Sequence, residues 1–351
     1  MPTHVRSFSK INLGLAIGPV QDDGFHALTT MYQTLDLHDL VTVTAQPAAA
    51  TRITLTTNHP QVPTDERNTA WKMVERALTR LNTTAEVAIH IDKNLPVQGG
   101  MGAGSANAAA ALLGLEKELG LTLDGPARLE LAAEIGSDVP LFLIGGSVLG
   151  TSRGEKVSPL PDLPAIPCVV AIPSVGVSTP QAFRDWDARA AASSLTSQAI
   201  QANLEQLSLA YSSVLAKFDP ATISVEPGTS GIAHDRNSVE TEDGRLNDLA
   251  ENTLLALVRT GIGNGLQNDF EEVVFPQYPS LRENKRQLMG SDSGSPALYA
   301  ALSGSGSALF GLYRSRSDAR AAQQRVQASG TPALLTTTLP RSDYWRRMFA
   351  G

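Results

Sequence analysis

Four short segments hold residue types suited to gripping or moving an anionic group. The densest is Pro96-Val-Gln-Gly-Gly-Met-Gly-Ala-Gly-Ser-Ala-Asn107, with Gly99, Gly100, Gly102 and Gly104 and a hydroxyl at Ser105. Glycines let backbone N–H groups approach an anion without interference from a Cβ. A helix that follows turns its unpaired N–H groups and the positive end of its dipole toward the same anion. The run lacks the Gly-Lys-Ser/Thr ending of a Walker A loop, and its GxGxG spacing is not the dinucleotide fingerprint. On pattern alone, a phosphate cradle and a plain tight turn are equal alternatives. Lys10 stands in Ser7-Phe-Ser-Lys-Ile-Asn-Leu-Gly-Leu15, an otherwise apolar strand. It is either buried with a partner, since an unpaired buried ammonium is costly, or a strand-end lysine facing water. Asp138, in Gly136-Ser-Asp-Val-Pro-Leu-Phe142, is either a paired carboxylate or a cap or turn residue. Leu302-Ser-Gly-Ser-Gly-Ser-Ala-Leu-Phe310 is a second glycine-rich turn that runs into a strand. Each segment alone fits a structural role as well as a chemical one; their joint occurrence favours chemistry.

The elements that must position these residues alternate along the chain. Val41–Ala45 and Ile53–Thr57 are β-branched and predict strands. Apolar spacing through Trp71, Val74, Leu78 and Leu81 predicts a helix from Asn68 to Leu81. Glu86–Ile91 alternates as a strand, and the Ala/Leu segment Ser105–Leu119 after the glycine run reads as a helix. Pro126 suits the first turn of a further helix, and Val169–Ile172 is a short buried strand. Ala308–Leu312 and Leu334–Thr338 predict strands either side of an Ala/Arg-rich helix. Ser194–Phe218 carries a helical apolar stripe, and 219–246, rich in Pro, Gly, Ser, Thr and acids, predicts a loop. Asn268 and Glu271 have the spacing of a capping box. The mixture of strands and helices without a strict βαβ repeat indicates an α+β fold.

Composition narrows the classes further. A chain of 351 residues suits two domains, expected here as 1–164 and 165–351 with an insertion at about 187–265. Its formal charge of −7 argues against nucleic acid as a partner. Cys168, the single cysteine, excludes an intramolecular disulfide and a cysteine-built metal centre, and a buried structural thiol is its expected role. None of the six histidines has an i, i+4 partner, which argues against a histidine-built metal site. The 22 residues between Lys93 and Glu116 carry no charge, long enough for a membrane span. The glycines, asparagines and serines of their first half argue against one. Met1–Lys10 lacks the apolar centre of a signal peptide, and a cytoplasmic protein without membrane contact is expected.

In order and spacing the segments resemble the GHMP kinase superfamily, small-molecule kinases with three glycine-containing motifs. The matching text is Lys10-Ile-Asn-Leu13, Asp23-Gly-Phe-His26, Lys93-Asn-Leu-Pro96 with the glycine loop, Ser137-Asp-Val-Pro140, Thr179-Pro-Gln-Ala-Phe183, Asn268-Asp-Phe-Glu271 and Ser303-Gly-Ser-Gly306. It covers about residues 5–185 and 266–312. The Gly-Phe-His element resembles the branch acting on a cytidine diphosphate-linked methylerythritol in isoprenoid biosynthesis, rather than the mevalonate and homoserine branches.

The resemblance implies a ribosomal-protein-S5-like N-terminal domain and a ferredoxin-like C-terminal domain with the active site between them. It implies ATP and Mg2+ as cofactors, a small-molecule alcohol as substrate, and a monomer or homodimer. Asp138 falls where the family has its catalytic base and Lys10 where it has the lysine beside that base. An adjacent ammonium keeps a carboxylate ionised and stabilises charge on reacting oxygens. Pro96, Gly99, Gly100, Gly102, Gly104 and Ser105 would hold the ATP phosphates, with Ser105 a candidate magnesium contact. Asn68 and Lys93 match the adenine side, and Gly304 and Gly306 the third glycine motif. Asn12, Phe25, His26, Thr179 and Phe183 match substrate positions. Phe25 and Phe183 would hold the base between them, and His26 would read it. Gln98, Ala103 and Ala106 depart from the family's Gly, Gly and Ser; Ala103 would be strained if its φ were positive. The alternatives are a GHMP kinase for another alcohol, such as mevalonate or homoserine, and a non-catalytic nucleotide-binding protein of this fold.

Overall fold

The computed structural model describes residues 1–97, 99–192 and 266–350. The predicted helix at 194–218 and loop at 219–246, most of the 187–265 insertion, and Gln98 lie outside the described residues.

Two long strands form the backbone of the first half. Strand β1 (Thr3–Val20) pairs antiparallel with β2 (His26–Pro47). The predicted strand Val41–Ala45 is thus the far end of a strand of 22 residues. The register shifts between Phe8 and Lys10 and again between Asn12 and Gly14. Such bulges re-aim side chains, and here they flank the Lys10–Asn12 segment. Strands β3 (Arg52–Thr57) and β4 (Ala85–Asp92) pair in parallel across helix α1 (Thr69–Arg80). Strands β5 (Ser147–Ser152) and β6 (Lys156–Pro159) complete the order β3-β4-β2-β5-β6, with β1 on β2.

In helix α2 (Ala103–Leu119) residues 106–116 are all buried, which explains the lack of charge before Glu116. Its alanines allow close approach: a Cβ added at Gly114 would lie 2.7 Å from a Val43 methyl. Helix α2, α1 and α3 (Gly125–Ile135) share one core with Val41, Val43, Val87 and Ile89 of the sheet.

The second sheet is antiparallel, in the order β10 (Ala333–Thr337), β7 (Pro167–Ala171), β9 (Leu309–Leu312), β8 (Tyr299–Leu302). Strand alternation gives it two apolar faces. Cys168, Val170, Phe310 and Leu312 pack on Ile11, Leu13, Met31 and Leu35 of the first half. Val169, Ala171 and Leu309 face the other way, onto helices α5 (Glu271–Gln277), α6 (Pro279–Met289) and α7 (Arg316–Ala328). The layer is ferredoxin-like, and with the first half it makes the two-domain α+β architecture. Burial raises the Cys168 thiol far above its ordinary value, as suits a structural residue. Helix α8 (Arg341–Met348) returns to the first core, where the Tyr344 hydroxyl donates to the Phe142 carbonyl at 2.6 Å. Among the described residues no helix is long and apolar enough to cross a membrane.

Candidate active site

Lys10 and Asn12 sit two residues apart on β1, so both side chains leave the same face. Lys10 is buried at 2% exposure and is not a strand-end lysine in water. Its Nζ donates to Asn12 Oδ1 at 2.7 Å and lies 3.2 Å from Asp138 Oδ2. Asn12 in turn donates to the Thr30 hydroxyl at 2.8 Å, which donates to the Gly14 carbonyl at 2.8 Å. Asp138 stands just before the 3-10 turn Pro140–Leu143 with its side chain 32% exposed, so one edge of the carboxylate is open to a ligand.

Tyr32 is a member of this group that the motifs do not reveal. Its hydroxyl donates to Asp138 Oδ1 at 3.0 Å, and its ring lies 5.4 Å from Lys10 Nζ. Burial, and then the charge of Asp138, push the phenol well above its ordinary value, so it keeps its hydrogen and remains a donor. Tyr32 faces Asn12 across the β1–β2 register, a relation fixed by pairing rather than by any local motif.

The glycine run wraps the start of α2. Gly100 and Gly102 have φ of +73° and +69°, the left-handed region that favours glycine. Gly102 caps α2 without a side-chain bond, which leaves the first N–H groups of the helix facing the cleft. Pro96, Gly99, Gly100, Gly102, Gly104 and Ser105 line that cleft of about 380 Å³ together with Asn68 and Lys93. Ala103 begins the helix and is absent from the positive-φ residues, so the strain expected there does not arise. Ala106 is buried in the helix at 2% exposure.

The third glycine motif closes onto the first. Ser303 Oγ donates to the Gly100 carbonyl at 2.9 Å, and a Cβ on Gly100 would lie 2.3 Å from the Ser303 carbonyl oxygen. Gly304 and Gly306, with φ of +58° and +95°, form this turn. A Cβ on Gly304 would lie 3.8 Å from Lys10 Nζ, which brings this motif to the lysine as well. Asn268 and Glu271 do not make the reciprocal capping box. Asn268 Oδ1 accepts from Phe270 N, but its amide donates to the Leu302 and Gly304 carbonyls at 2.8 and 2.7 Å. Glu271 accepts from Leu302 N and pairs with Lys285. The motif therefore holds the third glycine turn instead of capping a helix.

The remaining positions divide between the two ends of the cleft. Both ends of the Asn68 side chain are engaged, by Ala70 N and the Pro63 carbonyl, as the N-cap of α1. Lys93 Nζ donates to Asp39 at 2.6 Å, and the other Asp39 oxygen accepts from Asn94 N and Leu95 N. Burial lowers the Lys93 ammonium below its ordinary value against the opposing pull of Asp39. This fully buried aspartate, invisible as a motif, anchors the entry to the glycine loop. Helix α4 (Thr179–Ala192) starts at the third motif, where the Thr179 and Ser305 hydroxyls are 2.7 Å apart. The ring stacked on Phe183 is His26, at 4.9 Å and 10° between planes. Phe25 is 54% exposed, with the Arg153 guanidinium 4.9 Å from its ring centre.

Comparison with known proteins identifies this architecture. The GHMP kinases N terminal domain matches residues 68–146 and the GHMP kinases C terminal domain matches 248–331. A 4-diphosphocytidyl-2-C-methyl-D-erythritol kinase of Solibacter usitatus is 33% identical over 317 residues, 89% of this chain and 82% of that protein. One of Acaryochloris marina is 34% identical over 326 residues, 92% and 90% of the two chains. A crystal structure of 4-(cytidine 5'-diphospho)-2C-methyl-D-erythritol kinase shares the fold at TM-score 0.63 and 24% identity, covering 95% of this chain and 98% of that one. Homoserine kinase of Cytophaga hutchinsonii does so at TM-score 0.66 and 19% identity, covering 97% and 95%. With both halves matched and the sequence relatives spanning nearly their whole length, the chain belongs to the GHMP kinase family, among the 4-diphosphocytidyl-2-C-methyl-D-erythritol kinases.

Proposed function

We propose that this kinase transfers the γ-phosphoryl group of ATP to the 2-hydroxyl of 4-diphosphocytidyl-2-C-methyl-D-erythritol. The observation that carries the reading is the half-open Asp138 carboxylate, held by buried Lys10 and by Tyr32 beside a glycine cradle at a helix N-terminus. Phosphoryl transfer depends mainly on positioning and charge neutralisation, and these parts supply both. The α2 N-terminus and the glycine loop bind the ATP phosphates. Asp138 accepts the hydroxyl proton as the oxygen attacks the γ-phosphorus, and Lys10 offsets the negative charge on the reacting oxygens. Asn12 orients the Lys10 ammonium, and Phe25, His26, Thr179 and Phe183 line the cytidine end.

Magnesium, when bound, neutralises phosphate charge. Among the described residues no three His, Cys, Asp or Glu side chains converge on a point, so the phosphates would be its main ligands, with the Ser105 hydroxyl in the cleft as a fitting protein contact.

A coupled ADP-release assay at saturating Mg-ATP tests the reading, with mevalonate and homoserine as competing acceptors. Turnover with the cytidine diphosphate-linked acceptor is expected; its absence, or turnover with another acceptor alone, refutes the assignment. Asp138→Asn is expected to lower kcat by about 10²- to 10⁴-fold, the usual contribution of a general base, with ATP affinity retained. Full activity in that variant would remove Asp138 from the role of base.

A further inference from the structure

The turn between β5 and β6 carries a cation that the transfer chemistry leaves unused. Tyr32 pairs across from Val148 of β5, and its ring runs over that strand toward the turn. A Cβ on Gly150 would lie 2.5 Å from a ring carbon of Tyr32, and one on Gly154 would lie 2.5 Å from its hydroxyl oxygen. The same hydroxyl donates to Asp138, so the turn borders the reacting end of the cleft. Arg153 precedes Gly154 and reaches the other end. Its guanidinium lies over the ring of Phe25, beside His26 and the ring of Phe183. The backbone of the turn is held in place: Arg153 N donates to Glu155 Oε2 at 2.8 Å, and Gly154 N to the Thr151 carbonyl at 3.0 Å. The guanidinium is less committed. Its Nε is 3.9 Å from Glu155 Oε2, beyond hydrogen-bond reach, and among the described residues it has no hydrogen-bond acceptor. The side chain is 35% exposed. A guanidinium resting on a ring by its face keeps its N–H groups at the rim, free for a second partner.

We propose that Arg153 binds the diphosphate of the acceptor substrate, with Phe25 as the platform that holds its guanidinium in place. The inference rests on the proposed substrate, in which a diphosphate joins the cytidine to the alcohol that is phosphorylated. With the base at Phe25, His26 and Phe183 and the hydroxyl at Asp138, that linkage must cross the stretch between them, where Arg153 stands. Each of its phosphates is negative, and the stretch is bordered by carboxylates: Asp138 at one end, Glu155 in the turn, and Asp187 3.1 Å from His26 Nε2. Lys10 does not answer this repulsion, because it is buried against Asp138 and Asn12 at the reacting oxygens. Arg153 does, and its planar fork matches two phosphate oxygens at once. The arrangement favours a cytidine that carries a diphosphate over cytidine itself.

The experiment compares CDP and cytidine binding by calorimetry for the unaltered enzyme, Arg153→Met and Arg153→Lys, with the ATP cleft filled by a non-hydrolysable ATP analogue. Methionine keeps an unbranched apolar stem against Phe25 without the charge, and the melting temperature reports on folding. The unaltered enzyme is expected to bind CDP more tightly than cytidine. Arg153→Met is expected to lose about 10- to 100-fold in CDP affinity, the scale of hydrogen bonds to a charged group, while its cytidine affinity is unchanged. Arg153→Lys is expected to recover part of the loss, since it restores the charge but not the fork. If Arg153→Met keeps the preference for CDP, or loses cytidine affinity in step with CDP, the contact with the diphosphate is overturned and the cytidine site stands. Equal affinity for CDP and cytidine in the unaltered enzyme overturns it as well. If the unaltered enzyme binds neither, the proposal falls together with the assignment of the cytidine end.

Discussion

At the scale of single residues, the site is a carboxylate whose two oxygens have different partners. Lys10 approaches one and Tyr32 donates to the other. A hydrogen bond to a charged group is worth about 1.5–3 kcal/mol. Tyr32→Phe is therefore expected to lower kcat by about 10- to 100-fold and also to lower the melting temperature, since the same bond contributes to stability; steady-state rates beside a thermal melt measure both. Unchanged rates would mean that Lys10 alone holds Asp138. Lys10 and Asp138 were legible in the sequence as candidates, because a charged residue in apolar surroundings needs a reason, while their roles came from the family resemblance. Tyr32 was not, since a tyrosine in an apolar strand reads as core, and only its hydroxyl distinguishes the two roles.

At the scale of elements, two glycine turns and the start of α2 form one unit. The third motif leans on the first through Ser303, and Asn268 holds the third in place. Gly100 carries the tightest contact in this unit. Gly100→Ala combines a left-handed φ of +73° with a Cβ 2.3 Å from the Ser303 carbonyl oxygen, and neither backbone can yield without parting the turns. The expected outcome is a loss of about 2–4 kcal/mol of stability and a KM for ATP raised more than about tenfold, measured by denaturant unfolding and initial rates. Asn268→Ala is expected to raise the KM for ATP with a smaller loss of stability, since it frees the third turn without a clash. A KM equal to that of the unaltered enzyme would show that the turn is held without it. Helices α1 and α2 were legible almost to the residue because their composition and period are strong over several turns. The length of β2 and its bulged pairing with β1 were not, because register is a property of two strands together.

At the scale of the whole molecule, the second sheet packs on the β1–β2 hairpin and the segment before α5 is tied to β1. Leu15 N donates to the Gln267 carbonyl, and Asp269 Oδ2 accepts from Ile17 N at 2.8 Å. Burial raises the Asp269 carboxyl from 3.8 to about 6, against the opposing pull of the Ile17 bond. A carboxyl raised by folding contributes stability below its unfolded value and loses it as pH rises through the folded one. Stability from this group is thus present below pH 3.8 and is lost by about pH 6, on the order of 2–3 kcal/mol. Asp269→Asn keeps an acceptor for Ile17 without a charge to bury. Its stability relative to the unaltered protein is expected to rise across that interval and then level off, measured by urea unfolding at stepped pH. A difference that does not vary with pH would refute the account.

The sequence by itself determined the loop that needs glycine, the helix that follows it, the two charged residues placed where burial is costly, and the α+β class. These follow from local rules, in which a residue's neighbours in the chain are also its neighbours in space. Tertiary structure decided the partners. Tyr32 reaches Asp138 across 106 positions, Asp39 anchors Lys93 across 54, and Asn268 grips Leu302 across 34. It also set His26, rather than Phe25, on the ring of Phe183, with Asp187 at its edge. Strand register and the packing of the two sheets fix such distances, and neither is written in any short stretch of chain.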